Sequence, residues 1–238
     1  MAFRSPGIEN INNNAFLNSD LKPNIKPEVT QVIELEAGYN LTDDMLLSAN
    51  IFYIKLDKTI VYFVDENTGD EGYANVDVSG TKGFDLEYRI KQNWGYANLA
   101  YSFYSAKGIN KVPDYSVPTS EDALLGTPQH KVTLNSSFNI YKGLSINPSI
   151  VALGERYAYT SYDANEDDVV LTKIDPITLL NIFINYRNLF TDGLNIGLGT
   201  YNLLNAEYNY IQPYNGWHAP YPSKGLEFVV KASYKFGL

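Results

Sequence analysis

Apolar and polar side chains alternate along most of this chain, and the alternation is clearest in two segments. Lys131 to Tyr141 carries an apolar residue at every second position apart from Ser136, with polar residues between them. In the last segment, alternate positions from Leu226 to Phe236 are all apolar, and only Val229 interrupts the polar set. Because successive side chains of a strand point to opposite faces of a sheet, this period of two predicts β-strands. A face that is apolar along a whole strand fits contact with lipid, although a soluble sandwich could also supply such a strand.

The same pattern recurs and predicts nine strands from Glu28 onward, with a tenth that ends at Arg4. The nine are 28–40, 47–63, 73–92, 97–104, 131–141, 144–160, 180–186, 194–202 and 225–236. Residues 1–27 are rich in Asn and Pro and are predicted to form a long loop that follows the end of a strand. The predicted fold class is therefore all-β.

Short and long connections alternate strictly between these strands. Short turns are predicted near residues 41, 93, 142 and 190, and long loops near residues 67, 117, 165 and 214. A meander through a membrane puts short turns on one side and long loops on the other, whereas a Greek-key sandwich has no reason to do so. The strands are also long, at about 11 to 15 residues against a usual 5 or 6. About twelve residues at a tilt near 45° cross roughly 28 Å, which is close to one hydrocarbon core. The pattern therefore predicts an antiparallel up-and-down meander of about nine or ten strands in a transmembrane β-barrel.

Composition agrees with a membrane barrel and excludes several other classes of protein. The 238 residues include 20 Tyr, 11 Phe, 17 Gly and no Cys. No apolar run approaches the roughly 18 residues that a transmembrane helix needs. A net charge of −9 without a basic stripe argues against nucleic-acid binding. Met1 to Pro6 does not resemble a secretory signal, so we expect the export signal to lie elsewhere and the chain to be a piece of a longer protein.

Several short motifs give the chain a specific resemblance. Residues 202–208, Asn-Leu-Leu-Asn-Ala-Glu-Tyr, are similar to a motif near the penultimate strand of TonB-dependent outer-membrane receptors. Tyr234-Lys235-Phe236 resembles the last strand of these receptors, although Gly237-Leu238 follows here. Residues 3–6 and 18–28 look like the family's Phe-Arg-Ala-Pro and Asn-Pro-x-Leu-Lys-Pro-Glu segments. Further similarities follow in the family's order: Asn75-Val76, Gly83, Glu87, Gly126, Pro128, His130 and Lys131. The resemblance covers essentially the whole chain.

The resemblance implies a barrel of about 22 strands around a plug, of which ten strands form only a part. No part of this chain resembles the family's plug or the segment that binds the energy-transducing partner. We therefore interpret residues 1–238 as the C-terminal part of the barrel, either a fragment or one half of a split receptor, with the plug domain absent. Strand edges near Glu28 and Phe236 would then be unpaired, and the isolated chain is expected to aggregate or misfold in water.

The resemblance also implies a function, which is energy-coupled import across the outer membrane of a Gram-negative bacterium. The expected partners are outer-membrane lipid, the plug and remaining barrel strands, the TonB complex and a scarce small ligand. A ferric siderophore comes first because it is the family's commonest cargo, while cobalamin, haem, peptide and glycan remain open. Residues 7–20 lack the His that similar haem receptors often carry, which argues against haem. The alternatives are a passive porin-like barrel and a structural or adhesive β protein that presents surface loops.

Few residues in this sequence could catalyse a reaction or bind a metal. The chain has no Cys, only His130 and His218, and no Ser-His-Asp or metal-binding spacing, so we predict no enzymatic activity, no metal site and no cofactor. His130 lies at a loop-to-strand junction and is interpreted as structural. The aromatic outer loop is the candidate ligand-binding site, and the alternative for it is interfacial anchoring and loop packing. Its candidate residues are Tyr214, Trp217, His218 and Tyr221.

Charged and aromatic residues suggest three further roles. The acidic loops 65–71 and 163–168 could bind Ca²⁺ through oxygen ligands, but they match no known calcium loop, and solvated negative charge is favoured. A mixed-sign set on the inner face is predicted to form ion pairs within the set or with plug residues. The set is Glu34, Glu36, Asp85, Glu87, Arg89 and Lys91. Outward tyrosines are predicted to form girdles at the membrane interfaces. They are Tyr39, Tyr53, Tyr88, Tyr101 and Tyr186.

Overall fold

One antiparallel sheet of ten strands organises the protein, as seen in a computed structural model that describes residues 2–15, 24–64, 69–213, 216 and 218–236. The strands, numbered along the chain, are β1 (Ala2–Arg4), β2 (Glu28–Thr42), β3 (Met45–Asp57), β4 (Ile60–Val64), β5 (Glu71–Asn75), β6 (Ser79–Gln92), β7 (Gly95–Ser105), β8 (Ser116–Val117), β9 (Ser120–Leu124), β10 (His130–Tyr141), β11 (Leu144–Leu153), β12 (Arg156–Asp163), β13 (Asp168–Ile174), β14 (Ile177–Arg187), β15 (Leu194–Tyr201), β16 (Asn209–Tyr210), β17 (Tyr221–Pro222) and β18 (Glu227–Tyr234). The sheet order is β1-β2-β3-β6-β7-β10-β11-β14-β15-β18. This order is the predicted up-and-down meander.

The predicted alternation of connections is confirmed. Tight turns join β2 to β3, β6 to β7, β10 to β11 and β14 to β15, and each long connection between them carries a small hairpin of its own. These hairpins are β4–β5, β8–β9, β12–β13 and β16–β17. All four therefore lie at the long-loop end of the sheet.

Three predicted strands and one predicted loop are wrong in their extent. The predicted strand 47–63 divides into β3 and β4 at Lys58, whose φ of 58° turns the chain out of the sheet. The predicted strand 73–92 divides into β5 and β6, and 144–160 divides into β11 and β12. A hairpin that leaves the sheet keeps the period of two, so side-chain alternation does not reveal the break. The predicted loop 1–27 contains a short helix, α1 (Ile8–Ala15).

The outer face of the sheet is a continuous apolar surface. One row of directly paired residues crosses seven strands without a polar member. The row is Tyr39, Leu47, Tyr88, Leu99, Leu134, Ile150 and Leu180. Residues on this face are widely exposed, including Leu35 at 70% and Phe228 at 75%. Soluble monomers rarely expose so large an apolar surface, and this face fits the predicted contact with lipid.

The buried apolar residues lie among the loops and not under the sheet. Val117, Ala123 and Leu125 form a small cluster with side chains of the β12–β13 hairpin against it. A sandwich would instead show a dry centre between two sheets. The described part of the chain also holds no helix with the length and apolarity to cross a membrane.

The inner face is largely polar, as predicted. The residues paired directly beside the apolar row are mostly polar, and the Asn181 amide donates to the Ser149 hydroxyl at 3.2 Å. Among the predicted charged set, the Arg89 guanidinium makes two hydrogen bonds to the Glu87 carboxylate, at 2.6 and 2.8 Å. This ion pair is confirmed. Within the described residues, the other four members of the set form no ion pair.

A belt of hydrogen bonds ties the loop bases together at the long-loop end. The Asn75 amide donates to the carbonyls of Lys26 and Lys58 at 2.9 and 2.7 Å, and its oxygen accepts from the Lys26 N–H at 2.6 Å. Close by, the Glu28 carboxylate accepts from the Ile60 N–H at 2.8 Å and from Arg4 at 3.4 Å. These contacts give a structural role to several of the residues that carry the family resemblance.

We predict that Asn75→Ala loosens this belt without unfolding the sheet. The substitution removes three hydrogen bonds between separate loops, a loss of about 1.5–4.5 kcal/mol at about 0.5–1.5 kcal/mol each. Hydrogen exchange of residues 24–28 and 58–61 should speed up, while β6 and β7 keep their protection. Asn165→Ala is the control, because the Asn165 side chain contacts only Asp163 in its own turn. Equal exchange in both variants would contradict the bridging role.

Candidate ligand-binding site

Two asparagines shape the loop that joins β15 to β18. Asn202 and Asn205 have φ values of 49° and 48°, a left-handed conformation that asparagine tolerates better than most residues. The buried Asn202 side chain exchanges two 2.9 Å hydrogen bonds with the backbone of Ala206. The Asn205 side chain accepts from the Leu226 N–H at 3.0 Å and so joins the two ends of the loop. The motif at 202–208 therefore ends β15 and folds the loop back over the sheet.

Three tyrosines of this loop stand together, and we call Tyr208, Tyr210 and Tyr221 the tyrosine array. The rings of Tyr208 and Tyr210 meet edge to face at 5.5 Å, and their hydroxyls are 3.3 Å apart. Across the β16–β17 hairpin, the rings of Tyr210 and Tyr221 lie 6.4 Å apart. Tyr210 is 56% exposed and Tyr221 is 72% exposed. The array therefore offers aromatic surface and hydroxyl groups to solvent at the long-loop end.

The hydroxyl of Tyr208 is neutral near pH 7. The hydrogen bond to Tyr210, together with burial, raises the pKa of Tyr208. Neutral hydroxyls can both donate and accept hydrogen bonds. The array can therefore contact aromatic rings and oxygen-rich groups at the same time.

The four predicted site residues are only partly placed by the structure. Tyr214 and Trp217 lie outside the described residues. Tyr221 belongs to β17 and to the tyrosine array, and His218 is exposed in the same loop. Their role in binding stays a prediction. Sequence reasoning missed Tyr210 and assigned Tyr208 only to a family motif, although their spacing of two places both rings on one face of a strand.

Three loops meet beside this site at Gly126. The Gly126 N–H donates to the Tyr157 carbonyl at 2.7 Å, and a Cβ at Gly126 would lie 2.8 Å from Cα of Pro213. Tyr157 and Tyr159 in turn pack on the Leu125 cluster. The β8–β9 hairpin, the β12–β13 hairpin and the loop of the tyrosine array therefore form one packed unit.

His130 takes a structural position. Its Nδ1 lies 2.8 Å from the Tyr101 hydroxyl, and its ring centroid lies 5.0 Å from that of Phe103. Phe103 pairs directly with His130 and with Phe84 on the outer face of the sheet. His130 therefore belongs to the outward aromatic surface and not to the ligand site.

The acidic loop 163–168 forms hydrogen bonds among its own residues and with Tyr162. Asp163 accepts from the N–H of Asn165 at 2.9 Å and from its side chain at 3.1 Å, and these bonds lower the pKa of Asp163. The Tyr162 hydroxyl donates to Asp167. In the ranges that the structure describes, no three His, Cys, Asp or Glu residues come together as a metal site. Residues 65–68 of the other acidic loop lie outside those ranges.

Comparison with known proteins supports the family resemblance. The family model described as TonB dependent receptor-like, beta-barrel matches residues 1–203. No curated protein sequence matches the chain significantly.

Solved structures with the same fold are outer-membrane receptors. The ferric-catecholate import receptor Fiu of E. coli K12 superposes with a TM-score of 0.68 and 18% identity, over 99% of this chain and 30% of that one. The FrpB iron transporter of Neisseria meningitidis gives 0.66 and 15%, over 90% and 32%. The ferripyoverdine receptor of Pseudomonas aeruginosa gives 0.69 and 13%, over 89% and 28%. The chain spans about a third of the length of these proteins or less.

The family match covers most of the chain, and the superposed receptor structures share its fold. The lipid-facing apolar surface, the polar inner face and the single long-loop end are what such a barrel requires. The chain therefore belongs to the TonB-dependent receptor-like β-barrels, a family of the Gram-negative outer membrane.

Proposed function

We propose that this chain is the C-terminal part of the barrel of an outer-membrane receptor that binds a ferric siderophore and imports it with force from the inner membrane. The rest of the barrel, a plug and the TonB complex would complete the receptor. The observation that carries this proposal is the exposed tyrosine array, at the end of the sheet where the long loops gather. A loop site of this kind faces the outside of the cell.

The chemistry of the tyrosine array suits a siderophore. Siderophores carry iron-binding oxygen atoms, and many carry aromatic rings. Tyrosine contributes a ring that stacks at low entropy cost and a hydroxyl that donates or accepts a hydrogen bond. Two structural neighbours are described as a ferric-catecholate import receptor and as a receptor bound to ferripyoverdine. These descriptions apply to those proteins and support the same ligand class here.

We predict that Tyr210→Ala and Tyr221→Ala together weaken ferric-siderophore binding about tenfold in the complete receptor. Each aromatic contact contributes about 0.5–1.5 kcal/mol beyond its buried area, and about 1.4 kcal/mol corresponds to a factor of ten. Binding of radioactive iron complexes to outer-membrane vesicles measures the change.

Tyr162→Ala is the control for this experiment, because Tyr162 is a partly exposed tyrosine at the tip of a different hairpin. We expect this control to bind like the wild type. Equal weakening in both variants would place the binding site elsewhere. Failure of the wild type to bind any complex in a panel of catecholate, hydroxamate and mixed siderophores would reject the ligand class.

Energy dependence separates the importer from a passive pore. We expect uptake of the bound iron complex into cells to stop after addition of a protonophore, because the plug is then no longer displaced. A porin-like barrel would continue to conduct its solute down the gradient. Continued uptake at the same rate would therefore defeat the proposal.

A further inference from the structure

Arg156, the first residue of β12, is a buried cation for which the described residues provide no partner. The residue is only 7% exposed, and its Nε and Nη2 atoms are buried with no hydrogen-bond acceptor. Arg4 and Arg89, by contrast, each contact a carboxylate. Among the residues that the structure describes, Arg156 forms no ion pair.

Arg156 lies next to the point where the β12–β13 hairpin meets the loop of the tyrosine array, since Gly126 is hydrogen-bonded to the adjacent Tyr157 and lies against Pro213. In β12, Tyr157 and Tyr159 pack against the Leu125 cluster, so Arg156 and the fully buried Ala158 face the other side of the hairpin. Burial lowers the pKa of Arg156, and Tyr208 is the ionisable group close enough to affect that pKa. Arg156 therefore faces the loop that carries the array.

The acidic residue nearest in sequence is already engaged. Glu155 contacts the Lys173 ammonium at 2.6 Å and accepts from the Tyr157 hydroxyl at 3.2 Å. The Lys173 contact is the main cause that lowers the pKa of Glu155. Glu155 is thus paired with a different cation and does not neutralise the charge of Arg156.

An uncompensated guanidinium is costly in this position. Arginine stays protonated in proteins, and an ion taken out of water without a counter-charge costs several kcal/mol. The cost falls when an oxyanion supplies two oxygens to the planar fork of N–H groups. An arginine that is kept buried and unpaired is therefore suited to a charged group that arrives from outside.

We propose that Arg156 binds an oxyanion of the ligand, and that this oxyanion belongs to an aromatic group that stacks on the tyrosine array. A catecholate or an aromatic carboxylate has this combination of a flat ring and two adjacent oxygens. The inference rests on the proposed siderophore-receptor function and adds the charge class of the ligand to it. Because Nε and Nη2 are buried, the side chains that cover them must shift as the ligand enters.

The test compares two iron complexes on the complete receptor in outer-membrane vesicles. A ferric tricatecholate carries net negative charge, whereas a ferric trihydroxamate is neutral. Arg156→Met keeps the length of the side chain and removes the charge, and we expect it to weaken tricatecholate binding by at least about tenfold. Trihydroxamate binding should change less than about twofold. Arg156→Lys, which keeps the charge and loses the fork, should fall between them.

Lys107→Met is the matched control, since it removes an exposed cation from another long connection and leaves Glu155 paired with Lys173. We expect it to leave both affinities unchanged. Equal loss of both complexes in Arg156→Met would overturn the inference, because it would mean that the arginine supports the fold through a carboxylate elsewhere in the receptor. Unchanged tricatecholate binding in Arg156→Met would also overturn it.

Iron-free 2,3-dihydroxybenzoate separates this inference from the proposed function. We expect it to raise the melting temperature of the wild-type receptor and not that of Arg156→Met. If this shift appears while no iron complex is bound or imported, the arginine site stands and the siderophore-import proposal fails. If the wild type shows no shift, the arginine site is rejected whatever the receptor imports.

Discussion

Replacing Leu99 with arginine will leave most of the receptor unassembled in the outer membrane. Leu99 lies in the middle of the outward apolar row, paired with Tyr88 on one side and Leu134 on the other, and is 46% exposed. An arginine near the bilayer midplane of a barrel costs about 2–4 kcal/mol. The directly paired side chains, Tyr88 and Leu134, offer no carboxylate to neutralise the charge.

The fraction of receptor that migrates as a folded barrel on an unheated gel measures this effect. Ala100→Arg is the control, since Ala100 is the next residue, points to the inner face and pairs with Glu87 and Thr133. An arginine there meets water and a carboxylate, so we expect near-normal assembly. Loss of assembly in both variants would show that position within β7, and not the lipid face, decides the outcome.

A single methyl group at Gly83 is expected to be as damaging as a charge in lipid. A Cβ built there would lie 2.0 Å from the Phe103 carbonyl oxygen and 2.8 Å from the ring of Phe52. A backbone oxygen cannot turn away as a side chain can, so Gly83→Ala must force β6 and β7 apart. We expect a loss of about 3 kcal/mol or more, at the upper end of the cost of overpacking.

Gly38→Ala provides the comparison for this prediction. Gly38 is another inner-face glycine in a strand, but its Cβ would meet nothing closer than 3.5 Å. Urea unfolding of the complete receptor in detergent should therefore show a large shift of the midpoint for Gly83→Ala and little for Gly38→Ala. Similar midpoints for the two variants would mean that β6 and β7 adjust freely at this point.

Strand periodicity predicted the sheet well and its ends poorly. The segment 131–141 was predicted from alternation alone, and the structure has β10 there with one residue of difference. The segment 47–63 alternates as far as Phe52 and was extended to Phe63 although its phase is blurred there, and in the structure the chain leaves the sheet at Lys58 to form a hairpin. Alternation records that a chain is extended, and it does not record which neighbour the chain pairs with.

The candidate site was predicted only in outline. His218 and Tyr221 identified the aromatic loop, because aromatic residues cluster there in the sequence. The contact of Tyr210 with Tyr221 depends on the β16–β17 pairing, which brings together residues on either side of the loop. Arg156 carried no sequence signal, since an arginine in an extended segment is ordinarily exposed.

Side-chain alternation and loop length are enough to predict a meander of long strands with one apolar face, one polar face and all long loops at one end. Each segment shows these properties independently of the others, because alternation and loop length are local features of the sequence. Three features emerge only from the packed structure: the hairpins in the long loops, the surface formed by three tyrosines, and the buried Arg156 guanidinium near that surface. Burial and pairing depend on residues far apart in the chain, and only the packed structure defines which of them meet.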